Sequence, residues 1–203
     1  STEEPSRSSG TTRNPEAHGL ETVYGGAMST PPTGMDPALE PPAVRLVGTE
    51  RELAQSWLDY HRQTLRWKCS GLSAEQQCLA GVAPSRMSLA GLMRHMTDVE
   101  TWWFARIAED DHSITDRYPE ADEDLCEATP EAVAADWEAF EAAVRRSDEA
   151  LARMDLDGIA ANTSTRRGEI ANRWIVVHMI EEWARHNGHA DLIRERIDGA
   201  TGA

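Results

Sequence analysis

Two side chains that could bind a metal ion stand four residues apart in the last third of the chain. If this region is helical, Glu182 and His186 project from the same face, because residues four apart lie one turn above one another. Their neighbours on that line are the apolar residues Ile175, Met179 and Ile193. A carboxylate and an imidazole on a core-facing stripe are costly to bury unless they pair or bind a cation. The spacing therefore indicates either a metal site or a simple helix pair.

His95 presents the same anomaly on another predicted helix. It follows Leu92 by three residues and precedes Val99 by four, so it lies at the edge of a buried face. If the two faces meet, two histidines and one carboxylate form a common ligand set of catalytic zinc, with a fourth position open. The same set serves non-haem iron, and nickel and manganese also fit it. The alternative is a core histidine whose nitrogens are hydrogen-bonded.

Three further histidines could line such a site or support its ligands. His189 lies one turn after His186, His178 lies one turn before Glu182, and His61 falls on the first predicted helix. A purely structural role is the alternative for each of them. The candidate site therefore has three predicted ligands and three predicted neighbours.

Four long amphipathic segments must position these residues. Apolar residues at three- and four-residue spacing predict helices over residues 50–68, 89–108, 130–154 and 169–197. Ser88 and Thr129 are the predicted N-caps of the second and third helices, and Ser73 opens a capping box. The acidic segment 109–129 is predicted to be a solvated crossover, with a lid over one end of the bundle as the alternative. No alternating strand pattern occurs, so the sequence predicts an all-α four-helix bundle with a long crossover between the second and third helices.

The N-terminal segment has a different composition from the rest. Residues 1–42 hold seven of the ten prolines and few large apolar residues. Such a segment cannot bury enough surface to offset its chain entropy. We therefore predict a disordered tail over residues 1–42 and a helical domain over residues 43–203.

Composition and charge narrow the classes of partner. The formal net charge of −15 opposes binding to nucleic acid or to an anionic membrane surface. The sequence has no apolar run of the length that a transmembrane helix needs and no apolar core typical of a signal peptide. Its three cysteines have no Cys-x-x-Cys spacing, which fits a reducing compartment. We expect a cytoplasmic protein, and the surplus of apolar helix positions indicates a homodimer.

Two segments resemble the DinB/YfiT-like superfamily. Residues 92–104, LMRHMTDVETWWF, are similar to its second helix, and residues 178–191, HMIEEWARHNGHAD, are similar to its last. The similarity runs from about residue 45 to the C-terminus, through residues 71–76 and 197–202, and leaves out the N-terminal tail. The branch that it resembles most contains the mini-circle protein and mycothiol-dependent S-transferases.

The resemblance implies a helical bundle that holds a metal near one end. In the superfamily the last helix reads His-x-x-x-His-Arg-Gly-Gln, and both histidines are ligands. Here Glu182 stands at the first of these positions, His186 at the second, and His189 replaces the glutamine. A glutamate at the first position is also the pattern of the mycothiol-dependent maleylpyruvate isomerase, which binds zinc. The implied ligand set is thus His95, Glu182 and His186, with zinc as the expected metal.

The resemblance also implies a chemistry. A low-molecular-weight thiol such as mycothiol would bind zinc as the thiolate and attack an electrophilic small molecule, since zinc favours deprotonation of a coordinating thiol. This would make the chain a metal-dependent thiol S-transferase. Two alternatives stay open: a zinc-dependent hydrolase, and a non-catalytic metal-binding bundle with a stress-response or interaction role. A coordination position that faces a pocket would favour an enzyme, and a sealed site would favour the non-catalytic role.

Overall fold

The computed structural model describes residues 34–115, 117–118, 120, 122–166 and 168–202. They form six α-helices: α1 (Glu50–Cys69), α2 (Ala74–Gln77), α3 (Leu89–Glu100), α4 (Glu123–Cys126), α5 (Val133–Arg153) and α6 (Asn172–Asp198). A π-helical segment, Thr101–Ala108, prolongs α3. The four long helices pack as a bundle, with α1 against α6 and α3 against α5. The predicted all-α bundle with a long crossover is confirmed.

The predicted disordered tail lies mostly outside the described residues, which begin at residue 34. Its last part contains a short 3₁₀ helix, Pro37–Leu39, that lies along α1. The backbone N–H of Asp36 donates to Oγ of Ser70 at 2.9 Å, and Gln63 donates to the carbonyl of Leu39 at 2.8 Å. The domain boundary at residue 42 stays a prediction.

Several helix ends lie where their capping residues predict them. Oγ of Ser88 accepts the N–H of Gly91 at 3.0 Å and begins α3. Ser73 and Gln76 exchange the two hydrogen bonds of a capping box at α2. Gly199 ends α6 with a φ of 78°, a left-handed conformation that glycine adopts without a side-chain penalty.

Two predicted helix starts were wrong, and local hydrogen bonds give the reason. Thr129 does not cap α5: its carbonyl accepts the N–H of Ala132 at 3.1 Å, which makes a tight turn, and the α-helix begins at Val133. Helix α6 begins three residues after the predicted position. The carbonyl of Ile170 accepts the N–H of Ala160 at 2.8 Å, so this peptide pairs with the preceding loop instead of entering the helix.

A buried ion-pair network joins all four long helices. Arg62 on α1 donates to both carboxylate oxygens of Glu100 on α3, at 2.7 and 2.8 Å. The indole of Trp183 on α6 donates to the same carboxylate at 2.8 Å, and Arg62 also donates to Asp148 on α5 at 2.7 Å. The side chains of Arg62 and Glu100 are 1% and 0% exposed. Because each charge has hydrogen-bonded partners, the pair is tolerated inside the core and fixes how the helices meet.

None of the described helices combines the length and the apolar character needed to cross a membrane.

Removing the carboxylate at the centre of the network should destabilise the bundle. Glu100→Ala leaves the guanidinium of Arg62 buried with two of its donors unpaired, so the free energy of unfolding should fall by about 3–5 kcal/mol. Urea denaturation followed by circular dichroism measures this loss. Glu127→Ala is the matched control, because it breaks an ion pair between two exposed side chains, Arg86 and Glu127. Equal losses in the two variants would contradict the assignment.

Candidate metal centre

The three predicted ligands come together where α3 packs against α6. One potential ligand atom from each of His95, Glu182 and His186 lies within 4.8 Å of the other two. The imidazole centroids of His95 and His186 are 4.6 Å apart, and Nε2 of His186 is 3.4 Å from Oε2 of Glu182. These side chains are largely buried. The two helix faces that the sequence predicted to meet therefore do meet.

His186 is held in the neutral form at physiological pH. Burial, helped by the nearby rings of His95 and His189 and by the charge of Arg185, lowers the pKa of His186 to about 4. Neutral imidazole is the form that binds a metal, because protonation occupies the lone pair. The ring is therefore prepared to act as a ligand.

The acidic crossover contributes a residue to the centre that the sequence did not single out. Oδ2 of Asp124 on α4 is 2.6 Å from Nδ1 of His95. Burial alone would raise the pKa of Asp124, but its interaction with the His95 ring and the backbone N–H of Leu125 lower it below its usual value. The ionised carboxylate accepts the proton of Nδ1, which leaves the lone pair of His95 on Nε2. The crossover is thus not wholly solvated, since it covers His95.

A close backbone approach brings the crossover to this position. Gly91 on α3 lies one turn before His95, and a Cβ there would be only 2.0 Å from the carbonyl oxygen of Leu125. Only glycine allows α4 to lie this close to α3. The approach places Asp124, the residue before Leu125, opposite His95. No feature of the sequence distinguishes Asp124 from the other acidic residues of the crossover.

Two of the three additional histidines lie beside the candidate ligands. Nε2 of His178 is 3.5 Å from Oε1 of Glu182, the oxygen that does not face His186. The ring of His178 is stacked on Trp174 with centroids 4.7 Å apart. Nδ1 of His189 is 3.4 Å from Nδ1 of His186. His178 can therefore help to orient Glu182, and His189 can help to orient His186.

His61 lies in the interface between α1 and α6. Its ring is stacked on Trp57 with centroids 5.7 Å apart, and Nδ2 of Asn187 is 3.2 Å from its Nδ1. It does not belong to the ligand cluster formed by the described residues. Its predicted place at the site remains a prediction.

A cleft opens beside His95. Its volume is about 550 Å³, and it lies between α3 with its π-helical extension, the crossover and α5. His95 and Asp124 form part of its wall together with Trp102 and Trp103. A larger cleft of about 800 Å³ lies between α1 and α5, but its lining contains none of the candidate ligands. Of the two, the smaller cleft is therefore the one that a candidate ligand lines.

The comparisons with known proteins concern nearly the whole bundle. The model of a family described as mycothiol-S-transferase matches residues 53–199, which include all three candidate ligands. Among solved structures, a conserved protein from Enterococcus faecalis superposes with a TM-score of 0.56 and 15% sequence identity. The alignment covers 75% of this chain and 99% of that chain. At this identity the likeness shows the fold alone. No curated protein matches the chain.

Two of the cysteines are unsuited to act as a nucleophile. Cys69 is buried in the core, and this burial raises the pKa of its thiol to about 12. Burial also raises the pKa of Cys78, and the charge of Asp136 adds to the effect. Since the thiolate is the reactive form of cysteine, an attacking sulfur would not come from these side chains.

Thiol labelling should separate Cys69 from the other cysteines. At pH 8 a chromogenic disulfide reagent should modify the folded protein without reaching Cys69, because that thiol is buried and protonated. Peptide mass mapping identifies the labelled sites. Cys69→Ser should give the same count as the parent when folded and one thiol fewer in denaturant. Rapid labelling of Cys69 in the folded parent would contradict this prediction.

Proposed function

Because the chain belongs to the mycothiol-S-transferase family, within the DinB/YfiT-like superfamily, we propose that it joins the sulfur of mycothiol to an electrophilic small molecule. The reaction would take place at a divalent metal, zinc, held by His95, Glu182 and His186. The thiol gives its proton to water, the sulfur forms a bond to the electrophilic carbon, and the leaving group departs with the electrons of the broken bond. The observation that supports this proposal most is the convergence of the three ligand atoms beside an open cleft.

The chemistry of the three donors and the distance between two of them fit zinc. For metal–ligand bonds of about 2.0–2.1 Å, neighbouring ligand atoms of a tetrahedral zinc are about 3.4 Å apart. Nε2 of His186 and Oε2 of Glu182 are separated by 3.4 Å. Two imidazole nitrogens and one carboxylate oxygen are a ligand set that leaves a fourth position for substrate.

Each residue of the centre would have a defined role. A zinc ion bound here would supply a Lewis acid that stabilises the thiolate form of the thiol at neutral pH. Glu182 would serve as a ligand and not as a general base, since the described residues offer only His95 and His186 as other ligands at this centre. Asp124 would keep the Nε2 lone pair of His95 directed at the ion, and His178 would hold the second oxygen of Glu182.

The cleft beside His95 favours an enzyme over a sealed structural site, because it brings one of the three candidate ligands, His95, into contact with an open cavity. A hydrolase would need the same access, so an assay must separate the two. With 1-chloro-2,4-dinitrobenzene as electrophile, transfer gives a mycothiol conjugate and chloride. A hydrolase would give dinitrophenol at a rate that does not depend on the thiol.

Three further predictions concern partners and location. The cytoplasmic location, the absence of a nucleic-acid partner and the homodimer all rest on the sequence. Light scattering coupled to size exclusion measures the oligomeric state.

Metal content is the first test of the proposed centre. The parent protein, purified without a metal-affinity tag, should carry about one zinc per chain by elemental analysis, as one three-ligand site requires. The variant His95→Ala/His186→Ala should carry none. His112→Ala is the matched control, because this histidine is 68% exposed on the crossover, and it should keep the metal. A parent that holds no metal after zinc has been supplied and the excess removed would overturn the proposal.

Asp124→Asn should weaken zinc binding without removing a ligand. An amide cannot provide the charge that orients the His95 ring, and changes of this kind typically cost about 10–100-fold in metal affinity. Competition with a chromogenic chelator measures the affinity. Asp122→Asn is the matched control, since Asp122 lies on the same crossover and its φ of 61° is one that asparagine tolerates. Equal affinities in all three proteins would contradict the role given to Asp124.

A further inference from the structure

A second cleft meets the first at a pair of tryptophans. It has a volume of about 480 Å³ and lies between the π-helical segment and the connection that leads to α6. Trp102 and Trp103 line both this cleft and the one beside His95, and the side chain of Trp102 is 39% exposed. A single molecule could therefore reach from the candidate ligands, across the indoles, into the second cleft.

The second cleft has a largely apolar lining that also carries several polar side chains, and no carboxylate occurs among its described lining residues. Arg106 and Arg166 lie there with the side chains of Asn162, Ser164 and Thr165. The cleft beside His95, in contrast, includes Asp98 and Asp124. In a chain with a formal net charge of −15, a surface rich in hydrogen-bond donors and without acidic groups is unusual. It suits a ligand that offers many oxygen acceptors.

The loop that forms one wall of this cleft is hydrogen-bonded to the end of the π-helical segment. The backbone N–H groups of Ala161 and Asn162 donate to the carbonyls of Ala108 and Ile107 at 3.0 and 3.1 Å. The buried side chain of Asn162 donates to the carbonyl of Arg106 at 3.2 Å and accepts the N–H of Ser164 at 3.0 Å. These bonds form the cleft before any ligand arrives, which reduces the entropy lost on binding.

Arg166 offers unused donors at the mouth of the cleft. Its side chain is exposed, and the hydrogen bonds and ion pairs of the described residues do not involve it. A guanidinium presents five N–H donors in a planar fork. Such a fork can bind two neighbouring hydroxyl oxygens of one sugar or polyol ring.

We propose that the second cleft binds the sugar half of mycothiol. This inference rests on the proposed thiol transfer. Mycothiol carries its cysteinyl sulfur at one end and a neutral pseudodisaccharide of glucosamine and inositol at the other. The apolar faces of the sugar rings would stack on Trp102 or Trp103, and Arg106 and Arg166 would face their hydroxyls. The sulfur would then lie towards His95. Aromatic surface with a few polar groups is the usual composition of a ligand pocket.

Direct binding of the sugar half tests the inference without turnover. The probe is N-acetylglucosaminyl-inositol, which is neutral and has no sulfur, titrated calorimetrically into the full chain. The parent should bind it, and Arg166→Ala should bind it about tenfold more weakly, as expected for the loss of one or two hydrogen bonds. Arg196→Ala is the matched control, because Arg196 is exposed on the last turn of α6, and it should bind as the parent does. Circular dichroism confirms that both variants are folded.

Kinetics provide a second readout that separates the two proposals. In Arg166→Ala the ratio of kcat/KM for mycothiol to that for N-acetylcysteine should fall about tenfold. A parent that transfers thiols but does not bind the sugar probe would overturn the subsite and leave the proposed function standing. A parent that binds the probe through Arg166 but transfers no thiol would support the subsite and overturn the proposed function. Equal probe binding by Arg166→Ala and the parent would also overturn the subsite.

Discussion

The buried contact between Arg62 and Glu100 is the constraint on which the rest of the structure depends. Two opposite charges inside a helical core are stable only when their hydrogen bonds are complete, so the helices that supply the partners have little freedom to slide. Glu100 also accepts the indole N–H of Trp183. Glu100 lies five residues after His95, and Trp183 directly follows Glu182. The hydrogen bond from Trp183 to Glu100, which joins α6 to α3, therefore helps to set the distance between the candidate ligands on those helices.

The two sides of the candidate centre are supported differently. On α6 the ligands are supported within the helix, because His178 and His189 are one turn from Glu182 and His186. On α3 the support for His95 comes from Asp124 on the crossover. The crossover can lie this close to α3 only because Gly91 has no side chain. The α6 half is thus a property of local sequence, whereas the α3 half depends on tertiary packing.

This difference explains how much of the molecule could be predicted. Helical periodicity reports which face of a helix is buried, and it was sufficient for the four helices. It left open whether His95 meets Glu182 and His186, and the resemblance to the DinB/YfiT-like superfamily supplied that expectation. It does not report which polar residue on a buried face meets a partner from another helix. In the sequence, Arg62 is indistinguishable from the other charged residues of α1. Asp124 is likewise one of several acidic residues in the crossover. Both are identified only by the side chain opposite them, and that information is not local.

The position of the ligands along the chain has a consequence for biosynthesis. His95 emerges from the ribosome well before α6, and the helix that carries Glu182 and His186 is the last of the four long helices to be made. A nascent chain can offer one imidazole, and the paired carboxylate and imidazole follow only when the final helix is complete. A metal bound at the candidate centre would therefore find all three of its ligands only after α6 had been made. Metal binding would thus follow the packing of α6 against α3, and it would occur only in a chain whose four long helices had assembled.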